Sequence, residues 1–514
     1  MSLTRRIFFG SAASWFSRGT SIFLGLILLP ILFRALPKEE LGIWLLLGQS
    51  WATLGILDLG FGVTLTRQIA FAKGKSGSDP ECDLNETSLQ EIADLVMTGQ
   101  RIYRYLSVIS FVIAFGLGAL YLNSLTLEHV PVQRVWIAWG ILCLSFSINT
   151  LATPWACLLQ GVGYVGWDAI IVSFVNTLTL IGQIAVALLG GGLVSLAVVA
   201  VAGAFTQRLA IYTFAFKKRP ELLKMQGMWK HNQFKLMVPL ASRAWLTASG
   251  AAMILYTDQF IIASFQGTAE LPVYRASWIL VHNLTVLAVT FAMASGVFIS
   301  HLWQDKNYTQ VHRILERNTR IGWLIMLTTT AVLVFGGEEL FTLWLGPGNF
   351  VGYGVLMVFV LTETLETQSY VIASTSRATG DEAFAFSSLA AGVIKITSSV
   401  YLAHQFGLLG IALGTTIALL LTNHWYIPKR GLERLNYSKK SYLAKVVLPC
   451  IAVFCALSGL LSLMKLWTHV NSPMIHLCLV LVISGVCFIV ALWFLVMEPM
   501  QRSSIISRIQ TFHA

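Results

Sequence analysis

Charge is what this sequence has least of. Only 11% of its 514 residues are Asp, Glu, Lys or Arg, where a water-soluble domain carries about a quarter. So few charges exclude a disordered chain and an ordinary soluble enzyme. Cysteines are few as well: Cys143, Cys157, Cys450, Cys455, Cys478 and Cys487 lie in apolar stretches, and Cys82 in a polar loop. None has metal-ligand spacing with a histidine and none falls in a loop placed outside, so neither a disulfide framework nor a metal site is expected. Acids number 24 against 35 bases, for a net charge of +11. The bases are scattered among short loops between apolar runs, which reads as a topology signal and leaves no nucleic-acid partner expected.

What the sequence does have is apolar length. It is 56% hydrophobic with a mean hydropathy of +0.72, the composition of a polytopic membrane protein. Fourteen candidate spans begin near Gly10, Leu41, Tyr105, Val135, Asp168, Leu193, Leu236, Leu271, Ile321, Gly354, Phe384, Leu408, Leu443 and Met474. Arg5 and Arg6 precede the first run as in a signal peptide, but the run continues through Arg18 to Phe33 and reads as an uncleaved span. The longest polar connection lies between the second and third spans. Its latter part has a capping-box pattern at Ser88 and Glu91, then Ile92, Val96 and Tyr103 on one face, which predicts a cytoplasmic helix lying against the membrane and running into span three.

With both termini in the cytoplasm, 26 of the 35 Lys and Arg fall inside, four outside, and five within spans. That asymmetry predicts an even number of spans with both ends inside. The same map shows a repeat. Ser17 and Arg18 recur as Ser242 and Arg243, Glu40 to Trp44 (E-L-G-I-W) as Glu270 to Tyr274 (E-L-P-V-Y), and Gly163 as Gly380. The expected fold is therefore an all-α integral membrane protein of about 14 transmembrane helices: two pseudo-symmetric six-helix lobes plus two extra C-terminal helices. The lobes are expected at 1–216 and 236–428, joined by a cytoplasmic linker at 217–235, with spans 13 and 14 and a tail at 429–514.

The hairpin from Arg18 to Arg67 has Pro30 in its first arm, E-E-L-G-I-W opening the second and L-D-L-G-F-G-V-T-L-T-R closing it. It resembles the bacterial polysaccharide transporters, the Wzx-type lipid-linked oligosaccharide flippases, in the superfamily that also holds multidrug extruders and lipid II flippases. Asp258, Gly267 and Tyr274 are similar to that family's pattern in spans seven and eight, with Pro272 where a glycine is usual. The resemblance implies two lobes around a cavity lined by spans one, two, seven and eight. It also implies that an added C-terminal pair can flank a groove for the lipid tail.

Three of the in-span bases, Arg18, Arg243 and Arg275, fall on those lining spans. A guanidinium is a permanent, planar fork suited to bidentate phosphate contact, strengthened at low dielectric, so these three are the candidate pyrophosphate-binding residues. The alternative is that they snorkel or pair with carboxylates. Arg208 and Lys395, on peripheral spans, are expected to be structural. Among in-span acids, Asp58, Asp258, Glu363 and Glu366 are candidates for ion coupling or gating, or else neutralise charge between helices. His282, His404 and His424 have no metal-ligand spacing and are expected to be satisfied structural residues. No catalytic residue, cofactor or metal is expected.

The function these features favour is a flippase that moves a polyprenyl-pyrophosphate-linked oligosaccharide across the inner membrane by alternating access, for O-antigen, capsule or exopolysaccharide synthesis. Its expected partners are that lipid-linked oligosaccharide, membrane lipid, and polysaccharide polymerase or assembly proteins. A drug or organic-cation antiporter on the same fold is the alternative, although three arginines on lining spans argue against it. A membrane glycan polymerase or ligase would need a catalytic surface that the short outside loops do not offer.

Overall fold

The computed structural model of the chain describes residues 3–77, 81–221, 227–381, 384–467, 472–497 and 502, without the side chains of 3–18, 297, 301 and 385. It is helical throughout the described residues. In order, the helices are α1 (Leu3–Ala35), α2 (Lys38–Leu54), α3 (Phe61–Gly74), α4 (Glu86–Ser124), α5 (Val132–Val162), α6 (Val165–Leu188), α7 (Leu193–Lys218), α8 (His231–Tyr256) and α9 (Asp258–Phe265). They continue as α10 (Leu271–Gln304), α11 (Tyr308–Leu345), α12 (Tyr353–Ala378), α13 (Ala385–Leu421), α14 (Asn423–Arg434), α15 (Lys439–Tyr442), α16 (Leu448–Trp467) and α17 (Pro473–Ala491).

Among the described residues eleven helices are long and apolar enough to cross a membrane, or twelve if α8 and α9, bent by 41°, count as one. Helix α1 supplies a further apolar stretch, Gly19–Ala35. The stretch Phe386–Arg434, counted once, folds back on itself at Gly407, whose φ of 58° and ψ of −134° interrupt α13. Ser398 and Ser399 donate across the fold to the carbonyls of Gly414 and Ile411 at 3.0 and 3.1 Å. A Cβ at Gly410 would lie 2.0 Å from the Leu402 carbonyl oxygen, and one at Gly414 2.3 Å from Ser399 Oγ. This small-residue seam lets the two arms touch backbone to backbone. Each of the fourteen expected stretches thus has its own helical arm.

Packing divides the chain into two compact units, Met1–Pro272 and Val273–Ala514. The repeat places a lobe junction at 217–235; the packing boundary lies later because the seventh span, α8 and α9, is held in the first unit. Phe61 and Phe234 stack at 6.1 Å, Gln259 donates to Gln49 at 2.9 Å, and a Cβ at Gly60 would lie 2.3 Å from the Ala241 carbonyl oxygen.

In the first unit, α4 is one continuous helix from beyond the polar connection, as its periodicity predicts. Its cap is Asn85, whose side chain accepts the Ser88 N–H at 2.7 Å, rather than Ser88, which is buried. Ile92, Val96 and Tyr103 pack with Leu65, Ile69 and Leu158 into the unit's core, so that face is covered by protein instead of lying on the membrane. The linker is fastened to α4: Asp94, buried, accepts from Met228 N at 2.8 Å and Lys230 Nζ at 3.1 Å.

In the second unit the C-terminal pair packs along α11. Trp323 and Leu324 meet Cys450 and Ala491, and Ala331 meets Leu457, Leu461 and Val480. Both helices of the pair contain a π turn, at Leu443–Val447 and Leu492–Val496. Arg320 of α11 donates to the Lys445 and Leu495 carbonyls, each at 2.9 Å, taking up acceptors that a widened helix turn releases. Close by, Glu316 accepts from the Tyr437 phenol and lies 3.6 Å from Lys445 Nζ. Burial, and then that carboxylate, push the Tyr437 phenol well above its ordinary pKa, so it stays a donor.

Candidate functional site

The motif that opens α2 turns out to be a bracket. Pro37 leads into the helix, and Glu39 and Glu40 occupy its first turn, where a helix favours negative charge. Glu39 accepts the N–H groups of Glu128, His129 and Val130 at 2.7, 2.7 and 3.1 Å. Glu40 accepts Leu193 N at 2.7 Å, at the start of α7. Gly42 admits the turn Thr268–Glu270 so closely that a Cβ there would lie 1.8 Å from the Thr268 carbonyl oxygen. The E-E-L-G run therefore ties three backbone segments to one helix start.

The L-D-L-G-F-G run closing the hairpin is a break. Leu59 and Gly60 both take left-handed φ, 53° and 77°, separating a short 3₁₀ turn, Gly55–Asp58, from α3. Asp58 secures the break: it accepts Gly62 N at 3.0 Å and the Tyr103 hydroxyl. Asp258 likewise stands at a bend, in the first turn of α9. Arg208 donates to Asn149 of α5 inside the first unit, a structural tie of the kind its position predicts.

Of the three candidate arginines, Arg18 lies on α1 with its side chain outside the described residues. Arg243, on α8, is exposed, and among the described residues no carboxylate pairs with it. Arg275 is half-buried in the second unit, its guanidinium 4.4 Å from the centroid of the Trp278 ring. Such a cation–π contact contributes about 0.5–2 kcal/mol.

From Arg275 a continuous line of polar and aromatic groups runs through the second unit. Trp278 stacks on His282, with ring centroids 4.4 Å apart and planes within 11°. His282 Nδ1 lies 3.1 Å from Glu363 Oε1. One turn along α12, Glu366 Oε1 stands 3.8 Å from His424 Nδ1 on α14, which also contacts Ser369 Oγ at 3.2 Å. The line thus brings together Arg275, Glu363 and Glu366 from the sequence-derived set, and adds His282 and His424, which sequence reasoning assigns to plain structure. Spacing alone carries a usable signal: Arg275, Trp278 and His282 stand at i, i+3 and i+7, one helical face.

Within the second unit a third Glu–His contact, Glu339 with His476 at 3.2 Å, joins α11 to α17, and in the first unit His129 Nδ1 lies 3.6 Å from Glu39. Among the described residues no three His, Cys, Asp or Glu side chains converge as metal ligands do.

Comparison with known proteins accords with this architecture. The chain shares a fold with an inward-closed lipid II flippase MurJ at a TM-score of 0.70 and 14% identity, covering 98% of this chain and 100% of that one. An inward-facing multidrug resistance MATE transporter gives 0.66 and 14%, over 83% of this chain and 99% of that one. A MOP superfamily transporter from Pyrococcus furiosus, described by the reversed polarity of its binding pocket, gives 0.55 and 13%, over 84% and 96%. Comparison with curated proteins gives no match. The family model described as lipid II flippase MurJ matches residues 163–478, more than half of the sequence, and so the chain belongs to the MurJ family.

Proposed function

We propose that this chain is a flippase for a saccharide carried on polyprenyl pyrophosphate, moving it from the inner to the outer leaflet of a bacterial inner membrane. The observation that carries the reading is Arg243: an exposed guanidinium on an apolar helix, with no described carboxylate to neutralise it. In a membrane protein an ionisable group so placed needs a partner, and a pyrophosphate supplies one that matches its fork. Arg18 and Arg275 are proposed for the same chemistry. A carrier of organic cations gains nothing from such groups.

Lipid II, in the family's name, belongs to this substrate class, as do the repeat units of O-antigen, capsule and exopolysaccharide. The polysaccharide units remain our proposal from the sequence resemblance, with polymerase or assembly proteins as the receiving partners. Both termini are proposed to be cytoplasmic. Glu363 and Glu366 are the proposed coupling residues and Asp258 a proposed gating residue, while Asp58 secures the helix break at which it stands.

The test is translocation of a polyprenyl-pyrophosphate-linked saccharide in proteoliposomes by Arg243→Ala and Arg243→Lys. Losing a bidentate contact worth about 2–3 kcal/mol lowers apparent affinity by about 30- to 150-fold in the Ala variant. Lysine keeps the charge without the fork and loses less. Wild-type affinity in Arg243→Ala would remove the phosphate reading.

A further inference from the structure

The two Glu–His contacts on α12 are not equivalent. His282 and Glu363 stand at 3.1 Å, a formed hydrogen bond. Glu366 and His424 stand at 3.8 Å, within ion-pair reach but beyond a hydrogen bond. Glu366 Oε1 and His424 Nε2 are both buried and, among the described residues, accept or donate no hydrogen bond. A buried acceptor left without a donor costs about 1–3 kcal/mol, more if charged, and calls for an explanation. A proton eases the deficit: on Glu366 it removes the charge from the orphaned oxygen, and on His424 it adds a second N–H and a positive charge beside the carboxylate.

Every helix around this point contributes. Helix α10 brings His282 and, through Trp278, Arg275. Helix α14 brings His424. Helix α13 meets α12 through the Thr362–Thr416 hydroxyl pair and carries Lys395, fully buried, together with His404. Helix α11 offers Gly322, where an added Cβ would lie 2.8 Å from Thr367, and its Arg320 is engaged by the Lys445 and Leu495 carbonyls and by Glu316. Imidazole nitrogens half-line the site, and a direct 3.1 Å contact already closes one pair. Hard cations such as sodium favour a shell of oxygens, so this donor set suits a proton better.

We propose that Glu366 and His424, backed by the closed Glu363–His282 pair, form a proton-binding site inside the second unit, and that the ion coupled to transport is a proton. The proposal deepens the flippase reading, which supplies the transport; proton binding itself is measurable without substrate.

The experiment uses the full chain in liposomes, without substrate, followed by infrared difference spectroscopy while pH is cycled over about 5 to 8, the range in which imidazole-linked sites titrate. A protonated-carboxyl C=O band is expected to grow on acidification in the wild type. It should vanish in Glu366→Gln and shift in His424→Gln, and persist in Glu433→Gln, an exposed control. A wild type with no titrating band, or a band unchanged in both Glu366→Gln and His424→Gln, overturns the proposal. Displacement of the band by sodium at fixed pH overturns it as well, in favour of a sodium site. A band that behaves as expected in a protein that moves no lipid-linked saccharide at any pH leaves the proton site standing and removes the flippase reading instead.

Discussion

In the first unit Glu39, Glu40, Asp58 and Asp94 each accept at least one backbone N–H group, while in the second Glu339, Glu363 and Glu366 each face an imidazole. The two arrangements answer differently to a proton. A carboxylate that holds N–H groups at a helix start or a break is part of the fold, and neutralising it loosens the segment it holds. A carboxylate beside an imidazole has a partner that can itself give or take the proton, so its charge can change while the backbone stays in place. One type of side chain is thus spent on architecture at these four positions of the first unit, where even Glu39, 3.6 Å from His129 Nδ1, is held by three N–H groups, and left available for chemistry at these three positions of the second.

The sharpest test of that contrast compares Glu39→Ala with Glu366→Gln by thermal unfolding of the purified protein. Glu39→Ala strands the N–H groups of Glu128, His129 and Val130 and should cost about 2–4 kcal/mol. Glu366→Gln should cost under about 1 kcal/mol while abolishing the proton response. Equal destabilisation by the two would break the comparison.

A smaller effect is expected where the second unit does use a side chain on backbone groups. Arg320→Ala frees the Lys445 and Leu495 carbonyls and should cost about 1–3 kcal/mol. Amide hydrogen exchange should then rise at 443–447 and 492–496 and stay unchanged in α2. Exchange that rises evenly across both units would mean that Arg320 does not act as a local clamp on the C-terminal pair.

The smallest effect on stability, under about 0.5 kcal/mol, belongs to Asn232→Cys on the exposed start of α8. In intact cells this thiol should resist a membrane-impermeant reagent added outside, as a cytoplasmic linker requires. Rapid labelling would invert the topology and with it the sides of both units. Gly227, a nearer choice by sequence, cannot serve, because a Cβ there would lie 2.1 Å from the Ala93 carbonyl oxygen.

Much of the architecture was legible because a bilayer leaves a helix few options. Apolar stretches of sufficient length become helical arms, and even the crowded pair around Gly407 was separable by length. The match of Gly163 with Gly380 was legible too: both take positive φ, 109° and 86°, just beyond the fourth and tenth spans. Less legible was which face a helix buries. Ile92, Val96 and Tyr103 read as a membrane-facing stripe, yet they meet α3 and α5, since apolar surface has the same spacing whether lipid or protein covers it. Least legible were the partners of charges. Asp58 and Glu363 are both acids in apolar runs, and neither run shows that one closes on Tyr103 and Gly62 while the other meets His282.

The sequence by itself determined the class of protein, the helical arms and the charge asymmetry between loops, because each follows from how a short stretch partitions between water and lipid. Only tertiary structure decided that E-E-L-G is a bracket, that span seven packs with the first six, and that Glu363 and Glu366 meet His282 and His424. Those outcomes depend on residues that are distant in the chain, and their energies depend on angstrom-scale distances that no local pattern encodes.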